Sequence, residues 1–256
     1  CLLLRRRPRV VTPRWPSLRG RAVVTPAEAA AYRDAQRDVV ALARAALADW
    51  WRGLDVSDAK AAVSALESFV PDLVAAYGDV AATVAADWYD VLRGQAGVPG
   101  SSRARLAEPL PDEQVRASAR WAAEPLFARD PDSERALRLM AQAVQRLVQQ
   151  RGRDTMTRNV RSDPSRPRWM RVPRGRTCAF CLMLASRGPV YLSAATAGAY
   201  NRYHDSCDCQ PMPYWQGQGL PYDPDELYSH YLAAREVAGG DTKAILAQLR
   251  KDLDIN

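Results

Sequence analysis

The chain has 256 residues, 47% hydrophobic and 25% charged, the texture of a globular protein long enough for one large domain or two small ones. No run reaches the roughly 18 uncharged apolar residues of a bilayer-spanning helix, so no membrane partner is expected. The formal net charge is +7, and 33 of the 36 basic residues are arginine, a bias that bears on non-specific association more than on function.

The N-terminus reads CLLLRRRPRVV, which reverses the basic-then-apolar order of a secretory signal. An extended basic arm over residues 1–24 is expected, without an export signal. Because the chain begins with cysteine and not methionine, residue 1 is not expected to be the first encoded.

From Thr25 the sequence carries an N-cap, Pro26 at the first helical position and Glu28 completing a capping box, so a helix is predicted to about Trp51. Gly53 breaks it. Ser57 is placed to cap a short helix ending at Phe69, and Pro71 to Gly94 offers apolar positions at three-and-four spacing for a second one. The Gly-, Pro- and Ser-rich stretch from Gln95 to Pro111 reads as a loop. A helix is predicted over Asp112 to Phe127, and a long one from Asp130 and Pro131 to about Asn159. These segments form a helical domain over residues 25–162.

Near Asp163 the texture changes, because RSDPSRPRWMRVPRGRTC has no helical period. Short strands are predicted at RWMRV and PVYLS, within a small module spanning residues 163–218. Helical pattern returns in DPDELYSHYLAAREVAG and DTKAILAQLRKDL, the C-terminal helices of residues 219–256. The expected fold class is therefore mainly α: a helical N-terminal region, a small α+β module and C-terminal helices.

Four of the five cysteines fall in that module, as Cys178-x2-Cys181, twenty-two intervening residues, then His204-x2-Cys207-x-Cys209. Zinc takes four ligands in a tetrahedron, and a C-x-x-C turn supplies two sulfurs on one side while a second knuckle supplies the rest. A disulfide framework belongs to short exported chains, so metal is the preferred reading. Five residues compete for four positions, and a cysteine-rich set suits iron as well as zinc. A metal held by four protein ligands has no open position for water, which makes the expected role structural. Cys1 stands apart as an incidental thiol.

Enzyme readings lack a catalytic set. Zinc deaminases need a glutamate two residues after the first ligand, and neither His204 nor His230 stands in such a motif. A nuclease would have only His230 left as base. Ser186, Ser193 and Ser206 have no signature tying them to a histidine and an acid. Asp223, Asp225 and Glu226 sit at a helix start, where they satisfy amides and the helix dipole. The basic stretch from Arg166 to Arg176, with Trp169 inside it, suits a protein interface better than phosphates or bases. No enzymatic activity is expected.

The segments RVPRGRTCAFCLMLASRGPVY and YHDSCDCQPMPYW, from about Arg171 to Trp215, resemble the zinc-knuckle region of the Mu F-like head morphogenesis proteins of tailed bacteriophages, especially minor capsid proteins of actinobacterial phages. The shared pattern is C-x-x-C, a glycine-containing linker, then H-x-x-C-x-C. The preceding helical region agrees in length and texture. The resemblance implies a low-copy virion component inside the head near the portal, present in the host cytoplasm during assembly. It implies a structural zinc ion on residues among Cys178, Cys181, His204, Cys207 and Cys209, and portal or major capsid protein as partners. Alternatives are a capsid maturation protease, or a protein that contacts packaged DNA at the portal through its arginines.

Overall fold

The computed structural model describes residues 24–173, 177–191, 203, 207 and 209–255. The protein is mainly helical. Its elements, in order, are α1 (Pro26–Trp51), α2 (Ala59–Gln95), α3 (Asp112–Ala122), a 3-10 turn (Glu124–Phe127), α4 (Ser133–Ser162), β1 (Arg168–Val172), α5 (Ala179–Ala185), β2 (Gln210–Tyr214), α6 (Pro224–Ala238) and α7 (Thr242–Leu253). The arm predicted over residues 1–24 lies, apart from the buried Val24, outside the described residues.

α1 starts as its sequence dictates. Thr25 Oγ1 accepts the Glu28 backbone N–H at 3.1 Å, and the Glu28 carboxylate accepts the Thr25 backbone N–H at 2.8 Å. That reciprocal pair satisfies two amides that the first helical turn leaves without intrahelical partners.

α2 differs from expectation, because the two predicted helices are one helix of 37 residues with Pro71 inside it. Asp58, not Ser57, is the cap: its Oδ1 accepts the Lys60 and Ala61 amides at 3.0 and 3.1 Å. Proline removes one ladder bond and crowds the preceding turn. Here Val70, Pro71, Leu73 and Val74 are all buried, so packing on both sides of the break holds the helix together. By length and composition α2 could cross a bilayer. Its buried face packs against α1, α3 and α4, while Asp72, Asp79 and Asp87 stand exposed, Asp79 pairing with Arg151 of α4 at 2.9 Å.

Leu47, Leu66, Met140 and Leu147 from α1, α2 and α4 are fully buried in the main core, joined by Val115 and Ala119 of α3. Burying each large aliphatic side chain contributes about 1.5–3 kcal/mol. Gly152 of α4 lies where α1 and α2 approach: an added Cβ would stand 3.0 Å from the Ala81 carbonyl oxygen and 2.9 Å from Gln36 Oε1. The Gln36 side-chain amide donates to that same Ala81 carbonyl at 2.8 Å.

A second cluster carries the packing past Asp163. Tyr32 of α1, Tyr89 and Leu92 of α2 and Met156 of α4 meet Trp169 and Met170 of β1, Met212 of β2 and Trp215. β1 and β2 form an antiparallel ribbon in which Trp169 faces Pro213, Met170 faces Met212 and Arg171 faces Pro211. Of the predicted strand PVYLS, Tyr191 makes an antiparallel bridge to Trp169 with backbone hydrogen bonds of 2.9 and 3.3 Å, and Leu192 and Ser193 lie outside the described residues. The ribbon partner, QPMPY, contains two prolines, which strands tolerate at a sheet edge and which hide it from propensity reading.

A third cluster packs α5 through Leu182, Met183 and Leu184 against Ala234 of α6 and Ile245 and Leu249 of α7. The C-terminal helices are thus the support beneath the first cysteine pair.

Candidate metal centre

Cys178 and Cys181 bracket the start of α5. Cys178 is its N-cap, and its Sγ accepts the Cys181 backbone N–H at 3.3 Å, the local turn that a C-x-x-C spacing produces. Cys207 and Cys209 lead into β2, so the ribbon delivers them to the same place. The Sγ atoms of Cys181, Cys207 and Cys209 form a near-equilateral triangle, with separations of 3.3, 3.2 and 3.2 Å. All three cysteines are buried, and Cys178 packs against them.

Of the five residues predicted as ligands, the structure brings three into mutual reach and places a fourth, Cys178, at their edge. His204 lies outside the described residues.

The sulfur triangle fits a thiophilic metal. A disulfide joins two sulfurs at about 2.05 Å and would single out one pair, whereas these three distances are equal and longer. Zinc–thiolate bonds of about 2.3 Å imply tetrahedral edges of about 3.8 Å, so the triangle needs to open by about half an ångström to hold the ion.

The surroundings are unusual for a small knuckle. Arg153, from the middle of α4, donates through Nη2 to the carbonyls of Cys207 at 2.6 Å and Cys209 at 3.2 Å, and to Gln149 Oε1 at 2.9 Å. Arg171 of β1 donates through Nη1 to Cys209 Sγ at 3.6 Å. Both guanidinium carbons lie 3.9 Å from the centre of the Tyr203 ring. Arg153 and Arg171 are 1% and 0% exposed.

These contacts polarise the thiols in opposite directions. The bonds from Cys181 and Cys207, followed by the Arg171 and Arg153 guanidinium groups, hold the Cys209 thiol well below the usual range despite burial. Cys181 is pushed up, first by its interaction with Cys178 and then by Cys207 and Cys209.

Sequence reasoning missed Arg153, Arg171 and Tyr203. It treated the stretch from Arg166 to Arg176 as surface, but Trp169 and Arg171 are buried, and among its described arginines only Arg166 and Arg168 are exposed. A period-two reading of RWMRV could have placed Trp169 and Arg171 on one face. Nothing local marks Arg153.

Among the residues weighed for catalysis, Ser186 and Asp223 have ordinary structural partners, while Ser193 and Ser206 lie outside the described residues. Ser186 Oγ donates to the Met183 carbonyl at 2.9 Å at the end of α5. Asp223 caps α6 by accepting the Asp225 and Glu226 amides. His230 is half-buried on α6.

The chain matches the family model described as VG15 protein over residues 23–234, a span that contains the helical body and both halves of the cysteine cluster. It is also similar to the Gene 15 protein of Mycobacterium phage D29, with 28% identity over 202 residues, covering 61% of this chain and 68% of that protein. No solved structure matches it. By the extent of the family match, this protein belongs to the VG15 family of bacteriophage proteins.

Proposed function

We propose that this protein is a minor capsid or head morphogenesis protein of a tailed bacteriophage, a low-copy structural component of the virion that acts at the portal and the inner side of the head. The observation that carries the reading is the family match, which runs through the cysteine module and is accompanied by a phage relative. The module supports it physically. A metal enclosed by protein sulfurs supplies rigidity and no open coordination position, so it serves as a staple between α5 and β2 and not as a reaction centre.

In this reading the protein works through surfaces. Portal and major capsid protein are its partners, and α5, braced by α6 and α7, presents the C-terminal helices at a defined angle to the helical body. Exposed arginines then serve these contacts.

The test is mass spectrometry and immunolabelling of purified particles, with and without the gene. Expected is a few copies per particle near the portal and failed head assembly without it. Absence from particles that assemble normally refutes the proposal. The enzyme alternative wins if Ser186→Ala or His230→Ala stops particle maturation while metal content and incorporation stay normal.

A further inference from the structure

We infer that Arg153 couples the metal centre to the helical body: its guanidinium positions Cys207 and Cys209 for the ion, so that metal binding and the docking of the cysteine module on α4 form one cooperative step. This rests on the metal reading of the cysteine cluster and not on the role proposed at the portal.

Arg153 stands on the helical body, and what it holds belongs to the module. α4 is rooted in the main core through Met140, Val144 and Leu147. From that helix Arg153 Nη2 donates to the carbonyls of Cys207 at 2.6 Å and Cys209 at 3.2 Å. Gln149, one turn earlier, accepts from the same nitrogen at 2.9 Å and steadies it. A single nitrogen that bridges both carbonyls fixes the backbone of Cys207-x-Cys209 on either side of its middle residue. The two sulfurs then stand 3.2 Å apart, at 3.3 and 3.2 Å from Cys181 Sγ. Cys181 has a different support, since it lies on α5 and is backed by α6 and α7. Met156 of α4 and Met212 of β2 also meet in one apolar cluster, but such packing is non-directional and does not orient the knuckle.

Burial makes the coupling run in both directions. Arg153 is 1% exposed and keeps its charge under all ordinary conditions. It forms no ion pair with a carboxylate among the described residues, and its Nε and Nη1 have no hydrogen-bond partner. The two carbonyls and Gln149 are therefore its acceptors, beside the Tyr203 ring. A buried cation that loses its acceptors keeps the full cost of desolvation. An ion that locks Cys207 and Cys209 in place holds both carbonyls within reach. A divalent ion on the three thiolates is also a net anion, which a neighbouring cation favours. By linkage, the free energy that Arg153 adds to metal binding is the same that the metal adds to the docking of the module on Arg153.

Zinc competition against a chromophoric chelator, with denaturation in the presence and absence of zinc, tests this on the full chain. Arg153→Met keeps an unbranched apolar stem and removes the charge and the donors. It is expected to weaken zinc affinity about 10- to 100-fold and to leave the metal-free chain as stable as the wild type or more so. The stability that saturating zinc adds should shrink accordingly. Arg153→Lys keeps a cation and a donor, so its affinity is expected to fall between the two, and it carries the comparison where the methionine variant does not fold. Unchanged zinc affinity in the variants that fold overturns the inference, and equal losses of stability with and without zinc then assign Arg153 a merely structural role. A wild-type chain that takes up no zinc refutes the metal reading itself.

Discussion

Arg93 and Asp163 form a buried ion pair, Nε to Oδ2 at 2.8 Å with side chains 7% and 1% exposed, that ties the end of α4 to the C-terminal part of α2. Tyr89 donates its hydroxyl to the same Oδ2 at 2.8 Å. The other oxygen accepts Ser165 Oγ at 2.6 Å, and Ser165 Oγ in turn accepts the Trp215 indole N–H at 2.8 Å. One carboxylate thus links two helices of the body to the chain that leaves the ribbon.

Removing that carboxylate leaves Arg93 buried without its charge partner. Asp163→Ala is expected to cost about 3–5 kcal/mol, measured by chemical denaturation, because the isolated guanidinium must be desolvated uncompensated. The double variant with Arg93→Met is expected to recover part of the loss.

The same group gives a pH dependence. Burial raises the Asp163 carboxyl, but the bonds from Ser165, Tyr89 and Arg93 outweigh it and hold the group below the usual carboxylate range. A carboxyl depressed in the folded state stabilises fully above its unfolded value of about 3.9, and that stability is lost as the pH falls through the lower folded value. Thermal melts from pH 6 to about 2 are expected to fall more steeply for the wild type than for Asp163→Asn.

Metal removal is expected to act locally. A strong chelator, or Cys181→Ser, should disorder α5, the ribbon and the two C-terminal helices, while α1 to α4 keep their own core. Hydrogen exchange read segment by segment checks this: faster exchange in Ala179–Ala185 with unchanged protection in α2 is the expected pattern. Equal exchange with and without chelator refutes the staple.

Two glycines in helices should respond in opposite directions to alanine. Gly152→Ala forces a Cβ to 3.0 Å from a backbone carbonyl in α2 and is expected to destabilise by about 1–3 kcal/mol. Gly94→Ala meets nothing within 4 Å and is expected to stabilise by about 0.5–1 kcal/mol through reduced chain entropy. Denaturation midpoints of the two variants give the comparison.

Local signals were legible where they depend on neighbours in sequence. The Thr25 capping box and the helix start at Asp223 form as their residues dictate, because each rests on contacts within a few positions. The break at Pro71 was misread. Proline's local cost is real, yet tertiary burial of Val70, Leu73 and Val74 overrides it. QPMPY was missed for a related reason: its pairing with RWMRV spans about forty residues, and propensity cannot express such a partner.

By itself the sequence determined a mainly helical protein with a cysteine-rich module, since helical period, caps and C-x-x-C spacing are written in short stretches of chain. Only the tertiary structure decided which sulfurs meet. It also revealed that Arg153, far away on α4, stands beside them, because the burial of a charge depends on every element packed around it.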